Sequence, residues 1–146
     1  MYQGQAIDTL LPHAGSMRLL DSVLQVTESG ITCQSRSHRR PGNPLAQGGR
    51  LGCAALVEYA AQAAAIHASL SGAGIGDQRV ALIGAVKSLQ LHCRDIARDC
   101  EQLQINARAV LQSEDGAIYE FSVEADGQML ATGRLVLLVP GSASSA

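Results

Sequence analysis

The stretch from Leu51 to Leu70 limits what this chain can fold into more than any other feature. It reads LGCAALVEYAAQAAAIHASL, and its leucines and alanine pairs favour an α-helix whose small side chains let neighbouring backbones approach closely. An amphipathic surface helix has one apolar stripe, whereas this stretch is apolar nearly all round, which predicts a buried central helix. Polar residues interrupt it before it reaches the run of about 18 apolar residues that a bilayer-spanning helix needs.

Two polar residues of this helix point to chemistry. Glu58 and Gln62 are four residues apart and therefore share one helix face. A carboxylate on a buried helix is costly unless it is paired or used, so Glu58 is either half of a structural ion pair with an arginine or a functional acid. His67 lies roughly opposite Glu58, and we expect it to be a packed or hydrogen-bonded core histidine.

Length and composition predict one globular domain. The chain has 146 residues, of which 47% are hydrophobic and 16% charged. With one Phe, three Tyr, no Trp and a net charge of −2, it lacks the stacking platforms and the positive charge typical of nucleic-acid binders. We expect the domain to span residues 1–140 and the small, polar residues 141–146 to be a disordered tail.

The cysteines favour a reducing compartment. Cys33, Cys53, Cys93 and Cys100 lack the CxxC spacing of zinc sites, and no signal peptide precedes them. We therefore expect reduced, mostly buried thiols, no metal and no cofactor, in a soluble cytoplasmic protein.

The pattern of strands predicts an α+β fold. Two short strands precede the helix, and after a Gly-rich exit at residues 71–77 the remaining segments alternate between apolar and polar residues with a period of two. Asp126-Gly127 is a strong hairpin signal, and no βαβ unit appears. A curved antiparallel sheet wrapped around one long helix, the hot-dog architecture, satisfies every pattern. The predicted strands cover residues 21–26, 31–37, 80–92, 102–112, 119–124 and 129–139.

Three motifs resemble the β-hydroxyacyl-acyl-carrier-protein dehydratases of the hot-dog superfamily over nearly the whole chain. LPH at 11–13 followed by LLDSV at 19–23 is similar to that family's LPH…LLVDRV opening. His38 with PGNP at 41–44 resembles its HFPGxP loop, and EYAAQAA at 58–64 resembles its helix motif EAMAQAA. The branch associated with aryl-polyene biosynthesis is the most similar, because its members carry an EYAAQA helix.

The resemblance implies dehydration of a 3-hydroxyacyl thioester, held on the phosphopantetheine arm of an acyl carrier protein, to a trans-2-enoyl thioester. The reaction needs one positioned base and one positioned acid. His38 is suited to be the base because an imidazole titrates near neutral pH, and Glu58 to be the acid because burial favours a protonated carboxyl. In the family these two groups meet across a dimer interface, which implies a homodimer or a hetero-hot-dog assembly here, with Gln62 positioning Glu58 or the water.

Glycines supply the remaining requirement, a donor to the thioester oxygen. Gly48, Gly49 and Gly52 lie just before or at the predicted helix start, where free amides and the helix dipole favour developing negative charge. The residues alone leave open which amide is used.

Local charge favours an acidic partner. Between Glu28 and Glu58 the sequence contains no acid and four arginines, which we call the basic collar: Arg36, Arg39, Arg40 and Arg50. Carrier proteins are acidic, so the collar is suited to docking them. A solvated loop is the alternative.

Two other functions remain open. A hot-dog thioesterase would use the carboxylate to activate water against the thioester carbon, and the fold allows both reactions. A non-catalytic hot-dog subunit would instead pair with an active partner and bind the carrier or the chain. The His38 loop favours the dehydratase.

Overall fold

The computed structural model describes residues 18–70, 82–97 and 99–138. The predicted tail at 141–146 and the Gly-rich exit at 71–77 lie outside these residues. The sequence also predicts a brief helix around residues 16–20; residues 16–17 lie outside the described ranges, and residues 18–20 are not helical. No helix in the described ranges is long and apolar enough to cross a membrane. The described elements are β1 (Ser22–Val26), β2 (Gly30–Ser35), α1 (Leu56–Leu70), β3 (Leu82–Leu91), β4 (Leu103–Ser113), β5 (Gly116–Ala125) and β6 (Gln128–Leu138).

The six strands form one antiparallel sheet in the order β1-β2-β4-β5-β6-β3. The long helix lies between β2 and β3 in the chain, and β3 pairs at the opposite edge of the sheet from β1. Asp126 and Gly127 have φ angles of +52° and +77° and join β5 to β6, as the Asp-Gly hairpin signal predicts. The α+β hot-dog prediction is confirmed.

The helix begins later than its sequence indicates. Gly52 pairs with Asp95 in an isolated antiparallel bridge, which holds Gly52 extended at φ −69° and ψ 151°. A 3-10 turn over Cys53–Ala55 follows, and α1 starts only at Leu56. The predicted start at Leu51 is therefore wrong, because a contact distant in sequence holds the first residues in another conformation.

The helix is also less uniformly buried than predicted. Ten of its fifteen residues are buried, but Glu58, Ala65 and Ser69 form a half-exposed stripe along one face. The expectation that Glu58 is buried is thus wrong for a single chain. The stripe places the carboxylate where a second molecule can reach it.

The edge strand β3 lies outside the helix-covered part of the sheet. Helix α1 packs mainly against β2, β4 and β5, while the outer edge of β3 pairs with no strand among the described residues. β3 exposes four large apolar side chains, Ile83, Val86, Leu89 and Leu91, each 37–41% accessible.

Candidate active site

His38 lies on a 3-10 turn over Ser37–Arg39, just after β2. Its side chain is only 7% exposed, and Nε2 lies 2.7 Å from the carbonyl oxygen of Cys100. Because a carbonyl only accepts, Nε2 must carry the hydrogen, which leaves Nδ1 with a free lone pair. Nδ1 is buried and has no hydrogen-bond partner among the described residues. This histidine is not a solvated surface residue.

Burial keeps the His38 ring neutral. It lowers the pKa of His38 below its usual 6.5, because burial disfavours the charged form. The hydrogen bond to Cys100 opposes this shift, the nearby Arg39 charge reinforces it, and Asp21 and Asp126 oppose it. A neutral imidazole with a free lone pair is a general base at neutral pH.

His67 shows how a purely structural histidine is arranged in the same chain. It is fully buried, its Nδ1 lies 2.6 Å from the Tyr119 hydroxyl, and its Nε2 lies 3.0 Å from the Thr27 carbonyl oxygen. Nε2–H donates to the carbonyl, so Nδ1 accepts from the tyrosine. Both ring nitrogens are used, which confirms the prediction of a hydrogen-bonded core histidine.

Glu58 is the third residue of α1 and is half-buried. Within the described part of the chain its carboxylate has no hydrogen-bond or ion-pair partner, so the structural ion pair is not found there. The side chains of Glu58 and His38 are not hydrogen-bonded to each other in one chain, but their neighbours are. The Tyr59 hydroxyl lies 2.7 Å from Ser37 Oγ, which joins the His38 turn to the start of the helix.

Gln62 is buried, and its amide oxygen accepts a hydrogen bond of 2.9 Å from the Leu19 backbone N–H. The residue thus ties α1 to the chain entering β1. Its role in positioning Glu58 or a water molecule stays a prediction.

Gly48 and Gly49 form the tip of a tight hairpin turn. Gln47 and Arg50 exchange two backbone hydrogen bonds of 2.8 and 3.0 Å across them. The two glycines have φ angles of +59° and +76°, and both are exposed. Glycine is favoured here because a two-residue turn of this kind needs positive φ at both positions.

Gly52 is the better placed glycine for binding a thioester oxygen. The hydrogen bonds of its bridge are made by its neighbours, Cys53 N–H to Arg94 O and Ile96 N–H to Leu51 O, both at 2.9 Å. In such a pair the residue between the bonds directs its own N–H outward. This amide lies one residue before the 3-10 turn leading into α1.

A cleft of about 510 Å³ opens beside this amide. Gly52, Ala54 and Ala55 line it from the start of the helix, and Arg50 and Asp95 line its rim. The small side chains leave room for an extended ligand along the helix start.

Arg40 of the basic collar is part of the fold. It forms an ion pair of 2.6 Å with Asp21 and donates a hydrogen bond of 3.3 Å to the Arg18 carbonyl oxygen. Its guanidinium therefore holds the His38 loop against the chain entering β1.

The other collar arginines differ in whether an acidic side chain lies near them. Arg36 lies 3.8 Å from Glu101, and Arg50 lies 3.9 Å from Asp95. Arg39 is exposed and has no ion pair within the described ranges. The acids that approach the collar come from other parts of the chain, so a count of charges along residues 28–58 misses them. Arg39 is therefore the collar arginine whose charge is not balanced by a described acid.

The four cysteines are free thiols, and three of them are buried. Burial raises the pKa of Cys33 to about 12, which makes it a poor nucleophile. No cluster of three or more metal-ligating side chains occurs among the described residues.

Sequence reasoning missed three partners of the His38 turn. Asn43 and Tyr59 are buried polar residues bonded to it, and the Cys100 carbonyl holds its ring. The first two lie inside the PGNP and EYAAQAA motifs. Their signal in the sequence is that each is a polar residue within a motif that carries a proposed catalytic residue. A backbone carbonyl leaves no signal in sequence.

A family model described as ApeP-like, ApeP dehydratase, matches residues 5–146. No curated protein matches the chain significantly in sequence. Among solved structures, the dehydratase heterocomplex ApeI:P from Xenorhabdus doucetiae contains a chain 25% identical to this one. That match covers 94% of this chain and 92% of the other, with a TM-score of 0.79.

More distant structures share the fold alone. The conserved protein PA5202 from Pseudomonas aeruginosa is 14% identical, with a TM-score of 0.65 over 90% of this chain and 97% of its own. A hypothetical thioesterase with coenzyme A from Streptococcus pneumoniae is 14% identical, with a TM-score of 0.59 over 82% of this chain and 85% of its own.

Proposed function

The chain belongs to the ApeP-like dehydratase family, and on that premise we propose that it dehydrates 3-hydroxyacyl thioesters on an acyl carrier protein. The products are trans-2-enoyl thioesters in fatty-acid-like or aryl-polyene chain building, and the reaction needs no cofactor. Arg39, which is exposed and has no ion pair with any described residue, meets the acidic carrier in this proposal.

The observation that carries the proposal is the state of His38. Its ring is buried, one nitrogen is fixed on the Cys100 carbonyl, and the other accepts no hydrogen bond from any described residue. A buried polar atom without a partner costs free energy, so its presence needs a compensating role. Accepting a proton from a bound substrate is such a role.

In the proposed reaction Nδ1 of His38 removes a proton from C2 of the acyl chain. The electron pair of that C–H bond becomes the C2=C3 double bond, and the C3–O bond breaks. The Glu58 carboxyl donates its proton to the departing hydroxyl, which leaves as water. Exchange with solvent then returns the proton from His38 to Glu58.

Negative charge develops on the thioester oxygen during proton removal, and the Gly52 N–H is proposed to stabilise it. Its outward direction, its place at the helix start and the cleft beside it support this choice. Gly48 and Gly49 instead keep the loop in its turn.

A second hot-dog chain completes the site in this proposal. In one chain the outer edge of β3 has no partner strand among the described residues and the Glu58 stripe is half-exposed, and a partner covering both would bring its own carboxylate towards His38. The similarity to a chain of the ApeI:P heterocomplex supports a hetero-hot-dog assembly, although two copies of this chain meet the same geometric need.

The same similarity supports a second candidate function, that of a non-catalytic subunit. In that case the chain would bind the carrier or acyl chain, and its partner would perform the dehydration. The free Nδ1 of His38 favours the catalytic proposal.

One experiment separates these functions. The purified protein, alone and with a hot-dog partner, is incubated with a 3-hydroxyacyl carrier protein, and the intact carrier is followed by mass spectrometry. Loss of one water from the acyl chain supports dehydration, release of the acyl chain indicates a thioesterase, and no change with the chain alone indicates the binding role.

The variants His38→Ala and Glu58→Ala test the site in the same assay. We expect each to lower the dehydration rate by about 10²–10⁴-fold, the usual contribution of one acid or base. Undiminished activity in both would overturn the site assignment. Gln112→Ala, a change to a polar residue bonded to Tyr119 rather than to the His38 turn, is the control.

A further inference from the structure

We infer that Tyr59 is a positioning residue for His38, acting through Ser37, the residue that precedes the histidine; the inference rests on the proposed function of His38. The Tyr59 side chain is fully buried in α1, and its hydroxyl lies 2.7 Å from Ser37 Oγ. The bond therefore crosses from the catalytic helix to the turn that carries the proposed base.

The direction of each hydrogen bond in this network follows from its end point. Ser35 Oγ donates to the Leu19 carbonyl oxygen, which can only accept. Ser35 Oγ is then left to accept from the Ser37 N–H at 3.0 Å and from the Ser37 hydroxyl at 2.9 Å. The Ser37 hydroxyl therefore donates its only hydrogen to Ser35 Oγ, and Ser37 Oγ accepts a hydrogen bond from the Tyr59 hydroxyl.

Asn43 closes the network from the loop side. Its amide nitrogen donates to the Ser37 carbonyl oxygen at 2.9 Å and to the Tyr59 oxygen at 3.0 Å, which uses both of its hydrogens. Its amide oxygen accepts from the Leu45 N–H at 2.8 Å. Every polar side-chain atom of this amide is satisfied, so the loop has one favoured position.

Ser37 is consequently held at its N–H, its carbonyl and its hydroxyl. The next residue is His38, whose ring is held at one further point, the Cys100 carbonyl. With the backbone fixed on one side and Nε2 on the other, the free Nδ1 has a fixed direction. Removing the Tyr59 hydroxyl deprives Ser37 Oγ of its donor and Asn43 of an acceptor, which loosens the turn.

Tyr119 provides a matched control within the same core. It is also fully buried, and its hydroxyl also has two partners, His67 Nδ1 and Gln112 Nε2. His67 in turn bonds the Thr27 carbonyl oxygen, so this network runs to the turn between β1 and β2 and not to Ser37 or Asn43. Tyr59→Phe and Tyr119→Phe therefore remove the same group from equally buried sites, and only one of them disturbs the proposed base.

The first test is steady-state kinetics of dehydration by the intact assembly. We expect Tyr59→Phe to lower kcat about tenfold with KM changed less than about twofold, because misplacing a reacting group acts on the chemical step. Ser37→Ala should lower kcat similarly, and the double variant should lose less than the product of the two effects. Tyr119→Phe should leave kcat within about twofold of the parent, a change too small to reflect a misplaced base.

The second test does not require activity. Nuclear magnetic resonance of histidine-labelled protein reports the tautomer and the pKa of His38. We expect the Nε2–H tautomer in the parent, and in Tyr59→Phe a weakened preference with the pKa moving up towards its usual value, because a looser turn admits water. His67 signals should respond to Tyr119→Phe and not to Tyr59→Phe.

The outcomes separate the two proposals. An unchanged kcat together with unchanged His38 signals in Tyr59→Phe overturns the positioning role, as does an equal loss of kcat in both phenylalanine variants. If the parent converts no substrate while the His38 signals still respond to Tyr59→Phe, the proposed reaction fails and the positioning of the imidazole stands. Should Tyr59→Phe not fold, Ser37→Ala carries both measurements.

Discussion

At the scale of single residues, the hydrogen-bond partners of two buried histidines distinguish function from structure. His67 uses both ring nitrogens, whereas His38 uses one and has no partner for its buried Nδ1 among the residues that the structure describes. A histidine with both ring nitrogens hydrogen-bonded stabilises the core. A buried ring nitrogen without a hydrogen bond lowers stability, and a hydrogen bond to a bound ligand or substrate would offset that loss. The same logic applies to Glu58, a half-buried carboxylate without a partner in the described chain.

The pH dependence of the proposed reaction follows from the burial of His38. Its folded pKa lies below 6.5, so the basic form that removes the proton persists to lower pH than an ordinary histidine would allow. We expect the acid limb of kcat/KM to fall below pH 6.5. A limb at or above pH 6.5 would contradict the assignment of His38 as a buried neutral base.

A variant of a neighbouring charge checks that this limb belongs to His38. Arg39 lowers the pKa of His38 through its positive charge, so Arg39→Gln should raise that pKa and move the acid limb to higher pH. Asp21 and Asp126 act in the opposite sense and are left unchanged. An unmoved limb in Arg39→Gln would assign the titration to another group.

The lowered pKa of His38 also makes the free energy of unfolding depend on pH, in a direction that can be derived. A folded pKa below the unfolded one means that the unfolded chain binds more protons, so the contribution of His38 to the free energy of unfolding decreases as the pH falls below about 6.5. This decrease should be smaller in His38→Gln, and urea titrations at several pH values measure it.

At the scale of secondary structure, the start of α1 connects the fold to the proposed chemistry. The bridge between Gly52 and Asp95 delays the helix and turns the Gly52 amide outward beside the cleft. A Cβ on Gly52 would meet only the Arg94 carbonyl oxygen, at 3.9 Å, which is ordinary van der Waals contact.

This geometry permits a variant that removes the amide hydrogen while keeping the φ angle of Gly52. The φ of Gly52 is −69°, which proline adopts naturally, and its N–H takes no part in the bridge. We expect Gly52→Pro to lower kcat about 10²–10³-fold, the usual effect of losing one oxyanion donor. Gly52→Ala keeps the N–H and should retain activity, and circular dichroism checks that both variants fold. Equal activity of the two variants would exclude this amide as the donor.

The sequence predicts elements better than the contacts between them. Period-two alternation and Asp126-Gly127 locate the strands of the sheet and one hairpin, because each pattern is local. The helix start and the pairing of Arg40 with Asp21 depend on residues far apart in sequence, so composition alone misassigns them. Motif resemblance identifies His38 and Glu58. The Cys100 carbonyl that orients His38 carries no sequence signal, because every residue type has the same backbone carbonyl.

At the scale of the whole molecule, a single chain leaves apolar side chains exposed at one edge of its sheet. Among the described residues no strand pairs with the outer edge of β3, which also exposes Ile83, Val86, Leu89 and Leu91. Such an edge is a template for pairing with another chain, and native proteins usually cover or charge it. Lys87 is the only charged residue of β3, so the edge has little protection against pairing.

Assembly through this edge is therefore the last expectation to test. Val86→Lys adds a second charge to β3, and we expect it to reduce the molecular mass measured by light scattering from that of two chains to that of one. Val110→Lys places the same charge at a residue that is 46% exposed at a bulge of β4, a strand inside the sheet and not at its edge, and should leave the mass unchanged. Because the proposed site needs His38 of one chain and Glu58 of another, Val86→Lys should also abolish dehydration. Full activity in a variant shown to be monomeric would mean that one chain holds the complete site, which would overturn the shared site while leaving His38 as the base.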